Sequence, residues 1–337
     1  MHGARPRAIQ NGTSGTSERG PRTSPSSRAA ALSPRPPDPH THDHAIWMTA
    51  ESSDLAGLYG PSSVAWRVNR EATLLLGAGP RALLMQIAHP LIAEGVDQHS
   101  DFRADPWRRL RGTLRSYLAI VYGTSATARG EIRRLNGLHR RIGGPVRDAH
   151  ARAVSGAHAY HARDPELGLW VHATLIDATL VANDAWIAPL SRDQRARFYL
   201  ETRPIGRALG IPEASLPADL DAFEAYLAAQ LAPNGPIQVT PTARELARTI
   251  LAPPLGPLHP ALAAIPATLY AWTLWPAVAL LPSHIREAYG LRWTTRERAV
   301  AGWLATGFRS WRPLLPGSWR TMPQALAADA RIAAAVR

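Results

Sequence analysis

Residues 106–142 read PWRRLRGTLRSYLAIVYGTSATARGEIRRLNGLHRRI. Apolar residues recur here at helical spacing on both sides of Gly123-Thr124-Ser125. So short a connection predicts two antiparallel helices, near 106–122 and 126–142. At about 1.5 Å of rise per residue, Arg109 stands roughly 22 Å and His139 roughly 23 Å from the turn. The two are therefore expected at one level on facing helices. Arg109 and Thr113, four apart, share a face that Tyr117 and Ile120 extend. That face is either an amphipathic flank with a snorkelling Arg or the polar wall of a ligand cavity. His139 shares a face with Ile132, Leu135 and Ile142. It is either a core His satisfied by one hydrogen bond or a neutral imidazole of the kind that serves as an axial haem ligand.

Outward from the hairpin the helical pattern continues, with helices expected near 63–76, 80–98, 165–188, 192–208, 219–231, 241–251, 261–281, 294–307 and 322–336. Asp105-Pro106, Asp164-Pro165 and Thr240-Pro241 read as an N-cap followed by Pro at the first helical position. Ser191 with Gln194 fits a capping box, and Gly210 with Pro212 ends that helix. Pro80, after Gly77 and Gly79, is expected to open a helix. Strand-like alternation is hard to find. The reading is all-α: a single helical domain over 47–337 behind a disordered tail over 1–46, which is rich in Arg, Ser, Thr, Pro and Gly. The tail has no continuous apolar stretch, so no signal peptide is expected. Met48 falls where globular composition begins and is the expected start codon.

The chain of 337 residues carries 38 basic and 26 acidic groups, net +12, and all 38 are Arg. With no Lys, Schiff-base catalysis and a phosphate loop ending in Gly-Lys-Ser/Thr are excluded. With no Cys, thiol nucleophiles, Cys-ligated zinc, iron–sulfur clusters, thiolate haem and disulfides are excluded. No basic stripe with interleaved aromatics was found, so no nucleic-acid partner is expected. Eleven of the Arg fall in 101–150, around the hairpin.

Two further clusters carry candidate chemistry. His89, Asp97, His99 and Asp101 are either a polar helix end or a two-His-one-carboxylate site for non-haem iron. Along 165–188, His172, Ile176, Thr179 and Asn183 form one stripe, with Trp170, Thr174 and Asp177 near another. Buried polar groups there must pair with one another or serve a site. From Thr249 to Ile285 there is no Asp, Glu or Arg, but seven Pro interrupt the stretch. It is expected to be a buried element, with peripheral membrane contact through 249–285 as the alternative. A cytoplasmic location follows from these readings.

Leu83–Pro90, His99-Ser100-Asp101-Phe102, Arg109 to Thr113 with Tyr122-Gly123, Leu138-His139 and Trp170–Asp177 together resemble one all-helical oxygenase family. It includes the latex-clearing rubber oxygenases and the membrane-associated fungal oxygenase of the mycophenolic acid pathway. The resemblance covers roughly Ala65 to Thr249. It implies a globin-like core holding haem b, with O2 delivered to an apolar small molecule, in the best-known relatives by cleavage of a C=C bond. By the same resemblance Arg109 and Thr113 match the distal Arg and Thr, and His139 matches the proximal iron ligand, with His172 as runner-up. Other Arg would pair with the haem propionates. A Lys that gates the iron in the rubber oxygenases falls on Gly112. A non-haem iron enzyme and a non-catalytic lipid- or partner-binding helical protein are the competing readings.

Overall fold

The computed structural model describes residues 54–100, 105–253 and 274–336. By its internal contacts the chain divides into Met1–Met48 and Thr49–Arg337, and all described residues lie in the second. The tail expected over 1–46, Asp101 and most of the uncharged segment 249–285 lie outside the described residues.

The second unit is a single all-α domain. Its helices are α1 (Val64–Asn69), α2 (Leu74–Ile87), α3 (Pro90–His99), α4 (Pro106–Tyr122), α5 (Ser125–His139), α6 (Ala149–Ser155) and α7 (Pro165–Trp186). There follow α8 (Arg192–Ala208), α9 (Leu220–Gln230), α10 (Pro241–Leu251), α11 (Ser283–Ala288), α12 (Thr295–Trp311), α13 (Gly317–Arg320) and α14 (Pro323–Val336). Residues 274–279, inside the helix expected over 261–281, are also helical.

The sequence's punctuation acts as read. Asp105, Asp164 and Thr240 accept N-terminal amides of α4, α7 and α10. Ser191 and Gln194 close a capping box on α8, which Gly210, at φ 97°, terminates. Other expectations fail. The helix expected over 63–76 stops at Asn69, and the next begins at Leu74. Pro80 does not open a helix but lies inside α2. A Cβ on Gly77 would fall 2.0 Å from the buried Trp186 ring, so packing of α2 on α7 overrides the local cost of Gly and Pro. Nor does one helix span 80–98. Pro90 starts a new one, with His89 as its N-cap.

A small antiparallel ribbon was also not expected. β1 (Gly143–Pro145) pairs with β2 (Ala159–His161), Gly143 opposite His161. Three residues are too few to show alternation. Gly143 allows the approach, since a Cβ there would lie 2.9 Å from the His161 ring. The ribbon and α6 begin where the helix expected to reach 142 stops, at His139.

The core forms around α7, on which thirteen residues from Leu167 to Trp186 are buried. A helix apolar on all sides is a central one. Trp170 donates from its indole to Met85 O at 3.1 Å, and Arg81 of α2 pairs with Asp177 of α7 at 2.5 Å. Neighbouring helix ends are tied by carboxylates. Glu201 of α8 accepts from Val64 N and Ala65 N of α1, and Glu94 of α3 from Arg147 N and Asp148 N before α6. Among the described residues, no helix is long and apolar enough to cross a membrane.

Gly77→Ala tests the α2–α7 contact, because helix propensity and packing oppose each other there. Propensity alone would stabilise by about 1 kcal/mol. The overlap with Trp186 should instead destabilise by about 1–3 kcal/mol, read as a lowered midpoint in urea.

Candidate functional site

The hairpin forms as expected: α4 and α5 run antiparallel through Gly123 and Thr124, and the Thr124 hydroxyl caps α5. Its outer half carries the candidate residues. The Arg109 guanidinium keeps solvent contact, yet its pKa is lowered, first by desolvation and then by Arg134. The charge is thus crowded by neighbouring atoms although the side chain is exposed. Among the described residues it has no carboxylate partner. His139 is half-buried, and its pKa is lowered first by burial and then by the Arg109 charge. That the Arg109 charge acts on the ring agrees with the common level that the count along the hairpin gives the two residues. At neutral pH the ring is held uncharged, the form that binds a metal.

Thr113 is exposed, and its hydroxyl donates to Arg109 O at 3.0 Å. Ser116 repeats this bond to Gly112 O, also at 3.0 Å. Arg134 of α5 reaches across to Ser116 Oγ at 3.0 Å while forming a bidentate pair with Glu131 at 2.6 and 2.9 Å. Arg134 was not singled out from sequence. The signal was its distance from the turn, which brings it level with Ser116. Tyr117 turns to the core, donating to Asn69 Oδ1 at 2.5 Å. A Cβ on Gly112 would meet nothing within 4 Å. Leu110 and Leu138 are exposed, so the outer half of the hairpin also presents apolar surface.

His172 lies elsewhere, wholly buried in α7. Burial pushes its pKa down to about 4. Its Nε2 has no hydrogen-bond partner among the described residues, and a Cβ on Gly206 of α8 would lie 3.1 Å from it. The nitrogen thus faces helix backbone with no room for a planar macrocycle. Its neighbours on α7 are paired. Asp177 holds Arg81, Thr174 donates to Val171 O, Thr179 to Leu175 O, and the Asn183 amide to Ala188 O.

The His89 cluster is occupied with local structure. His89 Nδ1 accepts from Leu91 N at 3.2 Å, and burial lowers its pKa to about 4 against an opposing pull from Asp164. His99 Nε2 lies 3.1 Å from Gly143 O. Among the described residues no group of three His, Asp or Glu could hold a metal ion.

His172 and His89 set a pH dependence. Their folded pKa of about 4 lies below the ordinary 6.5, so the unfolded chain takes up protons first as pH falls. Stability is complete above about 6.5 and drains as pH drops towards 4, by on the order of 2–3 kcal/mol for each ring. The thermal midpoint should fall over that window. His172→Leu should flatten its slope, and an unchanged slope would refute this origin.

Comparison with known proteins identifies the family. The sequence profile described as "ER-bound oxygenase mpaB/B'/Rubber oxygenase, catalytic domain" matches residues 66–312. Uncharacterised proteins of Mycobacterium bovis and Mycobacterium tuberculosis are each 27% identical to this chain over 242 residues, which is 69% of this chain and 87% of theirs. No solved structure was found to match. The match takes in α4, α5 and α7 whole, and the chain belongs to the mpaB/rubber oxygenase catalytic domain family, as an oxidoreductase acting with O2 on a substrate.

Proposed function

We propose that the protein is a haem b-dependent oxygenase that uses O2 to cleave a carbon–carbon double bond in an apolar organic substrate. The observation that supports this reading is the pairing of His139 with Arg109: an uncharged imidazole beside a cation that has no carboxylate partner among the described residues. His139 would hold the iron. Its ring has no hydrogen-bond partner among the described residues, whereas His172 Nε2 is closed in by α8. Haem iron bound there would supply the activation of dioxygen.

The chain's own groups then have distinct tasks. Arg109, without a carboxylate partner among the described residues, donates charge-assisted hydrogen bonds to a polar or anionic atom bound beside it. Thr113 can add a second donor only by rotating off Arg109 O, which now receives its proton. Arg134, fixed by Glu131 and Ser116, keeps a positive field on Arg109 without competing for the same ligand. Gly112 stands where the rubber oxygenases carry their Lys, so this chain offers no side chain there to occupy the iron. Leu110 and Leu138 suit an apolar substrate. Cleavage of C=C to two carbonyls places one atom of O2 on each carbon and needs no external reductant. No observation favours the His89 cluster as a second reading.

Protein purified after haem supplementation should show a Soret band, perturbed or lost in His139→Ala. Arg109→Ala should retain the band while turnover of an unsaturated substrate falls by about 100-fold. Colourless wild-type protein, or His139→Ala with an unaltered spectrum, would remove the proposal.

A further inference from the structure

The surface formed by α12, the turn after it and α13 is unlike the rest of the molecule. Not one of the seventeen residues of α12 is buried. Its inner side meets α7 through Phe308, stacked on Trp186 at 5.3 Å, and through Arg309, which donates to Asp184 O. Arg312 at its end is held by Glu71. The helix is therefore fixed, and what it turns outward is not a fraying end. Trp303 is 74% exposed, Trp311 71%, Leu314 78% and Trp319 72%. Trp303 and Trp311 are separated by roughly 12 Å along the axis. Leu314, Leu315 and Trp319 follow within one turn-rich stretch. Scattered surface hydrophobes need no explanation, but three fully presented indoles beside two Leu do.

The charge around them indicates the occupant. Residues 292–320 contain six Arg and one acid, Glu297. Glu297 is engaged in the capping box of α12 with Thr294. Arg292, Arg296 and Arg298 are exposed and have no ion pair with a carboxylate among the described residues. A second copy of this face would meet it with like charge. A nucleic acid would use the indoles for stacking, but has no use for aliphatic Leu314 and Leu315. Indole rings, aliphatic side chains and unpaired guanidinium groups together match the interface of a bilayer carrying anionic headgroups.

We propose that residues 300–319 dock this protein on an anionic lipid bilayer, with Trp303, Trp311 and Trp319 at headgroup depth. This surface differs from the segment 249–285 considered from sequence, and it does not depend on which cofactor the hairpin holds. An apolar substrate dissolved in the membrane would then be available to the docked enzyme.

The test uses the full-length protein and vesicles of phosphatidylcholine alone or with about 30% phosphatidylglycerol. Flotation should recover the protein with the anionic vesicles, less so in high salt, and its tryptophan emission should shift to the blue. The triple variant Trp303→Ser, Trp311→Ser, Trp319→Ser should lose partitioning by at least about tenfold, with an unchanged far-UV spectrum, since these side chains support no core. Three results would overturn the proposal: no recovery of wild type with anionic vesicles, equal recovery of the variant, or a wild-type dimer or oligonucleotide complex that the substitutions abolish while vesicle binding persists.

Discussion

The domain is arranged around a helix in which no residue from Leu167 to Trp186 is exposed. Each neighbour of α7 must meet it with an apolar stripe or satisfy its polar groups individually. α2 does both. Gly77 lets its backbone close on Trp186, and one turn later Arg81 brings a cation to Asp177 while donating to Leu280 O. A buried ion pair adds little net stability, but leaving either charge alone would be costly. The pair thus acts as a register pin: α2 can sit on α7 at one height, and Leu280 is drawn to the same point.

The site is built at the margin of that arrangement. α4 is anchored at its inner end, where Leu118, Val121 and Tyr122 pack with Trp66 and with Met322, Ala325 and Ala328 of the C-terminal region. Arg331 of α14 donates to Tyr122 O and Leu55 O, closing that end further. Tyr122 also donates to Trp66 O. Among the described residues the outer end, with Arg109, Thr113 and His139, has no comparable cover.

Much of this was legible because it follows from local chemistry. Asp105, Asp164, Ser191 and Thr240 cap helices through bonds spanning two or three residues, and the hairpin count needs only helical rise and a short turn. What could not be read depended on partners far along the chain. Gly77-Ala78-Gly79-Pro80 has the composition of a break, and nothing local discloses that Trp186 lies against Gly77. The ribbon at 143–145 rests on Gly143 meeting His161 across an intervening helix. For the candidate residues, the level of Arg109 and His139 was computable, and so were the polar stripes on α7. The enclosure of His172 was not, because it rests on Gly206 of α8, which closes on that ring from a distant part of the chain. His89 carried its own answer in the Pro that follows it, as the other Pro-initiated helices did.

The shallow seating of α5 has a consequence for how the site comes into being. Of its fifteen residues, Ser125, Ala128 and Ile132 are buried, all in the half next to the turn. The half that ends in His139 has no buried residue beyond Ile132, and amide hydrogen exchange should be faster there than in α7. What holds that half to α8 is the Asn136 amide on Ala208 O, and Leu135, which joins Ala208 and Leu209 against the cluster of Ile120, Ile132 and Ile205. Any group that ligated His139 would add to those contacts and stabilise the end of the helix.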